Sequence, residues 1–169
     1  MFCDISPTCY KIALQKEIIK RHIKNFLRHE RYADTRQSEP LPCLVADCSS
    51  HLIKRGKGID PVLQENKAVN IKLANARMNG ILIRPGETFS FWHLVGKTTK
   101  RKGYRDGRIL VRNHLLPGIG GGLCNLANTI HRVVLLSPLT VTEFHKHSDA
   151  LAPDEGARVP FSSGTSVFY

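Results

Sequence analysis

The stretch from Leu115 to Asp149 reads LLPGIGGGLCNLANTIHRVVLLSPLTVTEFHKHSD. Gly118, Gly120, Gly121 and Gly122 crowd in just ahead of Cys124. Glycine permits positive φ and close backbone approach but weakens regular elements, so this cluster must be a loop. Leu123, Leu126, Ala127, Ile130, Val133 and Val134 then recur at helical spacing, and Pro138 forces the end of that helix. Cys124 falls in the first turn. There the unpaired backbone N–H groups and the positive end of the helix dipole favour a thiolate. Backbone N–H groups of Gly122 to Cys124 would serve as an oxyanion hole. This is the layout expected of a cysteine nucleophile. Two readings compete with it: an anion-binding glycine loop with an incidental cysteine, and a turn that only packs tightly. No Lys-Ser/Thr pair follows the glycines, so the stretch is not a P-loop.

His131 lies seven residues after Cys124, two turns or about 10 Å along the same helix face. That is too far for a hydrogen bond, so His131 is a poor candidate for the base and reads as a buried, satisfied histidine or as a supporting group behind the site. Asn125 and Asn128 sit where they can contact a substrate, with Gly120, Gly121 and Gly122. After Pro138, alternation puts Leu139, Val141, Glu143, His145, His147 and Asp149 on one side of a strand. A strand folding back along the helix would bring His147 or His145 to Cys124 as general base. Asp149 or Glu143 would orient the imidazole. The order of Cys on a helix, then His on a strand, is also that of papain-like and transglutaminase-like thiol enzymes, an architectural analogy only. His-x-His-x-Asp with Cys124 is also a plausible zinc set, a rival ranked below the thiol site. A solvent-facing strand edge is the bland alternative for each histidine. No cofactor is called for, and no metal is assigned.

Elsewhere the pattern predicts a basic amphipathic helix over Tyr10–Arg31, with Ile12, Ile19, Ile23, Phe26 and Leu27 on one stripe. Such a helix can lie on a membrane or a nucleic acid, but packing of the stripe on the domain is favoured. A polar connector with Pro40 and Pro42 follows, to Ser50. A second helix is expected from Pro61 to Gly80, buried through Val62, Val69, Leu73 and Ala76. A short apolar strand, a Pro85-Gly86 turn and a strand near Ile109–Val111 come next. The expected class is α+β: a short mixed or antiparallel sheet packed against the helix of the Gly-rich loop, with an N-terminal amphipathic helix. Residues 1–50 form the helix and connector, and 51–169 the main domain.

Hydrophobic residues make up 41% of the 169 and charged residues 23%, so a globular core is within reach. The formal net charge of +11 suits an anionic partner, or simply a solubilising surface. No recognised nucleic-acid motif accompanies the charge. Neither a secretory signal nor a transmembrane-length segment is apparent, which points to a cytoplasmic protein. The five cysteines, Cys3, Cys9, Cys43, Cys48 and Cys124, are then read as reduced thiols.

Three segments resemble the VanW family: NGILIRPGETFSFWHLVGKTTKRKGYRDGRIL, GIGGGLCNLANTIH and SPLTVTEFHKHSDALAPDEGARVPFSSGTSVFY. The resemblance spans His51 to Tyr169. Many members carry Gln after the cysteine and Ser-Thr soon after it, where this chain has Asn125, Asn128 and Thr129. The resemblance implies a bacterial protein connected with peptidoglycan or with glycopeptide (vancomycin) resistance. Its partner would be an anionic cell-wall precursor or peptidoglycan fragment, such as a nucleotide- or lipid-linked muropeptide. Members of the short type run on past the closing strand, so a further C-terminal β segment is expected to be missing here.

Overall fold

The computed structural model describes residues 6–111, 114–143, 145–146 and 164–165. The chain divides into two compact units. One gathers the residues up to Ala33 with Ile83–Phe89, and the other holds Asp34–Leu82 with the chain from Ser90 onward.

The first unit is built on α1 (Pro7–Leu27). Pro7 occupies the first helical position, where its missing N–H costs nothing, and the Ser6 hydroxyl accepts the Cys9 N–H at 3.2 Å. His29, at φ +47°, follows the end of the helix in a left-handed conformation. The Ala33 N–H then donates to the Thr88 carbonyl and the Thr88 N–H to the Arg31 carbonyl, tying this segment to the turn at Pro85-Gly86. The apolar stripe expected to pack inward stays exposed instead: Ile12, Ile19 and Ile23 are each more than half exposed, and Phe26 is 76% exposed.

The second unit is organised around α2 (Pro61–Met78). Asp60 caps it, accepting the Val62 and Leu63 N–H groups at 2.8 and 3.4 Å. At the other end Arg36 donates to the carbonyls of Ala76 and Arg77, satisfying groups that the helix leaves open. Residues 35–37 run beside 80–82, through Gln37 N–H to Gly80 O and Leu82 N–H to Thr35 O. The short helix α3 (Phe91–Val95) and a 3-10 turn at Lys100–Lys102 follow. β1 (Asp106–Val111) and β2 (His114–Ile119) form an antiparallel ladder with Gly107 opposite Gly118 and Ile109 opposite Leu116. The chain then turns through Gly120–Gly122 into α4 (Leu123–Leu135). A two-residue pairing of β3 (His145–Lys146) with β4 (Gly164–Thr165) completes the described elements, and β4 lies beside α4. Helices with short antiparallel ladders make this an α+β architecture.

The core of this unit is Ala74, Met78, Phe91, Val95, Tyr104, Leu123 and Ala127. The buried side of α2 is not the expected one. Val62 and Ala76 face solvent, whereas Gln64, Lys67, Asn70, Ala74 and Met78 are buried. The reason is visible in the hydrogen bonds. Asn70, fully buried, receives the Arg105 N–H at 2.8 Å and donates to the Arg105 and Gly121 carbonyls at 2.9 and 3.0 Å. Asn66 donates to the Asp106 carbonyl at 2.9 Å, and Gln64 accepts the Lys54 N–H at 3.2 Å. The polar face of α2 is buried because irregular loops lie on it, and loops bring backbone groups that need partners.

Replacing Asn70 by Ala strands the Arg105 N–H and the Gly121 carbonyl, while the Arg105 carbonyl keeps the Gly120 N–H. Urea denaturation should show a loss of about 3 kcal/mol. Asn75→Ala, at an exposed position of the same helix, should stay within about 0.5 kcal/mol of the parent.

Candidate functional site

The turn that leads into α4 is held by packing as tight as backbone allows. A Cβ on Gly121 would lie 2.2 Å from the Gly107 carbonyl carbon, and one on Gly122 would lie 2.2 Å from Lys67 Cγ. Gly120 and Gly122 take left-handed φ of +78° and +92°, and Thr98 presses on Gly120. Asn70 grips the Gly121 carbonyl, and the Gly120 N–H donates to the Arg105 carbonyl at 3.0 Å. These glycines therefore serve close approach within the protein itself, which the packed-turn reading anticipates.

Beyond the turn, Gly122 is the N-cap of α4 and makes no side-chain cap. Cys124 sits in the first turn, partly buried, with a free thiol. Asn125 accepts from the Ser50 hydroxyl at 3.5 Å, and that hydroxyl also lies 3.2 Å from the Thr129 hydroxyl. Ser50, in the segment after Cys48, thus lies against α4 beside Asn125 and Thr129. The buried Oδ1 of Asn128 has no hydrogen-bond partner among the described residues. His131 is buried, 4% exposed, with Leu123 and Ala127 on its side of α4, as expected from the spacing. Burial holds its pKa below the ordinary histidine range.

Residues 139–143, with Glu143, have no regular secondary structure, so the alternation expected from Leu139 is not a strand there; among the described residues that follow, His145–Lys146 pair as β3. His145 lies on β3, whose partner β4 adjoins α4. His147 and Asp149 lie outside the described residues. No cluster of three or more His, Cys, Asp or Glu suited to a metal is present among the described residues. Lys97, Lys100, Arg101, Lys102 and Arg105 are exposed on the segment that flanks Gly120 through Thr98 and Arg105. Among them Lys100 lies 3.7 Å from the Asp106 carboxylate. No helix of the described residues is long and apolar enough to cross a membrane.

Sequence reasoning missed Asn70 and Lys67. Asn70 stands at helical spacing from Asn66 within QENKAVN, and the only signal was polar residues repeating on one helix side.

Comparison with known proteins places these elements. A family model described as VanW like protein matches residues 66–169. The chain is 40% identical over 116 residues to the vancomycin B-type resistance protein VanW of Enterococcus faecalis (strain ATCC 700802 / V583), covering 69% of this chain and 42% of that protein. It is 32% identical over 84 residues to the uncharacterized protein YoaR of Bacillus subtilis (strain 168), covering 50% of this chain and 28% of that one. The chain thus spans less than half the length of either relative. No solved structure matches.

Since the His131 pKa is lowered in the fold, the unfolded chain takes up the proton first as pH falls. Stability from this residue is present above about pH 6.5 and is lost as pH falls toward the folded pKa. His131→Leu should flatten the fall in urea-derived stability between about pH 7 and about pH 5. Parallel pH profiles for parent and variant would remove this assignment.

Proposed function

Because the chain belongs to the VanW family, we propose that it contributes to glycopeptide resistance by acting on a cell-wall precursor at the N-terminal end of α4, with Cys124 as the reacting thiol. The association with vancomycin resistance comes from the printed name of the Enterococcus relative. The observation that carries the chemical part is the seating of Cys124. It lies in the first turn of a helix without a side-chain cap, behind a glycine turn clamped too tightly to shift. A rigid turn that presents backbone N–H groups beside a thiol is what acyl transfer to sulfur needs, because the donors are already in place when the oxyanion forms. In this reading the base is His147 or His145, oriented by Asp149. The position of β3, joined through β4 to α4, supports bringing that segment to the thiol. The bond attacked is an amide or peptide bond of the precursor.

A second reading is a binding module without turnover. The consumption of the glycines in internal packing favours it, and so does the exposed basic rim from Lys97 to Arg105. Its ligand is the same anionic precursor.

Incubation of the full chain with muropeptide precursors, followed by mass spectrometry, separates the two. Under the thiol reading, precursor is converted, and Cys124→Ser lowers the rate by at least about a thousandfold. If Cys124→Ser converts precursor as the parent does, the thiol reading is overturned. Salt-sensitive precursor binding without conversion, unchanged by Cys124→Ser, establishes the binding module instead.

A further inference from the structure

Ile12, Ile19, Ile23, Phe26 and Leu27 recur on α1 at intervals that keep them within one arc of the helix surface. All five are more than half exposed, and Leu27, at 68%, comes next after Phe26. Leu14 and Ile18 lie off this arc and are less exposed, so the exposure follows one helix face. From Ile12 to Leu27 the row runs about 22 Å along the axis. Single apolar residues on a surface mean little, but a continuous row of this length marks a contact surface.

The charge beside the row narrows what can cover it. α1 carries five Lys or Arg and one carboxylate, Glu17. Lys16, Lys20 and Lys24 recur every four residues along one edge of the arc, and all three are exposed. Lys20 pairs with Glu17 at 3.0 Å, an exposed contact that leaves the helix strongly positive. A second copy of α1 laid on the row would bring like charges together along its edge. An anionic lipid surface meets both features at once. The row enters the boundary between headgroups and acyl chains, while the lysine stems reach back to the phosphates. α1 is not long and apolar enough to cross a bilayer, so the contact runs in the plane of the surface.

We propose that α1 is a membrane-surface helix, which seats its row of Ile12, Ile19, Ile23, Phe26 and Leu27 in an anionic phospholipid bilayer with Lys16, Lys20 and Lys24 along the headgroups. Apolar burial and charge attraction act together in such a contact, and each alone binds weakly. The contact does not depend on Cys124, and it stands whichever chemistry the second unit performs.

The test is flotation of the full chain with vesicles of phosphatidylcholine alone, and of phosphatidylcholine mixed equally with phosphatidylglycerol. The chain is expected to float with the mixed vesicles and not with phosphatidylcholine alone, and sodium chloride should weaken the binding. Ile19→Ser combined with Phe26→Ser should lower the affinity for mixed vesicles by at least about tenfold, because the buried apolar area is lost. Urea stability should be unchanged in that variant, since both side chains are exposed in the fold. Lys16→Gln combined with Lys20→Gln should also weaken binding and flatten its salt dependence. Leu44→Ser, at an exposed apolar position of the second unit, should bind as the parent does. Failure of the parent to float with mixed vesicles, equal flotation with both kinds, or full binding by either paired variant overturns the proposal. Self-association without lipid that Ile19→Ser with Phe26→Ser abolishes, in place of vesicle binding, assigns the row to a second copy and overturns it too.

Discussion

The carboxamide of Asn70 joins three elements: α2, the loop before β1 and the turn before α4. From the middle of α2 it takes the Arg105 N–H and gives to the carbonyls of Arg105 and Gly121. The loop before β1 and the turn before α4 are thereby fixed on one helix face. A buried amide with both its oxygen and its nitrogen engaged is strongly oriented, since any other rotamer strands several backbone groups at once. Apolar packing alone would allow these loops to slide. The close approach of Gly107 to Gly121 depends on the same fixing, because two backbones meet there with no side chain between them. Whatever chemistry Cys124 performs is done from a helix whose start is set by that contact.

Helices α2 and α4 were legible because their punctuation is strong, whereas the short α3 was not foreseen. Asp60-Pro61 opens α2, and the glycine run followed by an apolar period opens α4. The ladder of β1 with β2 was legible only in part. Ile109–Val111 reads as strand, while Asp106-Gly107 and Pro117-Gly118 contain poor strand formers paired by tertiary context. The buried face of α2 was misread for a physical reason. Hydrophobic periodicity finds the side that meets other apolar surfaces, but this helix meets backbone, and backbone selects Asn, Gln and Asn at its contacts. The stripe of α1 shows the converse. An apolar period identified the helix and left its environment unstated, and Ile12, Ile19, Ile23 and Phe26 are exposed.

The candidate site divides along the same line. Cys124, Asn125, Asn128 and His131 follow directly from a helix beginning at Leu123. The glycines were read as room for a ligand, and much of that room is filled by Gly107, Thr98 and the Lys67 stem. Family membership suggests an association with vancomycin resistance, through the name of one relative. The residues add a thiol in the first turn of α4, behind the tightly packed glycine turn.

The central claim is that the Asn70 junction holds the second unit together as one cooperative piece. Native-state hydrogen exchange at the Arg105 and Gly120 amides tests it most directly, since one donates to the Asn70 oxygen and the other to the Arg105 carbonyl. The account predicts that both amides exchange only through global unfolding, with the same opening free energy as the central amides of α2 and α4. If they exchange through a low-energy local opening while those helices stay protected, the loops are held by something other than Asn70, and the account fails.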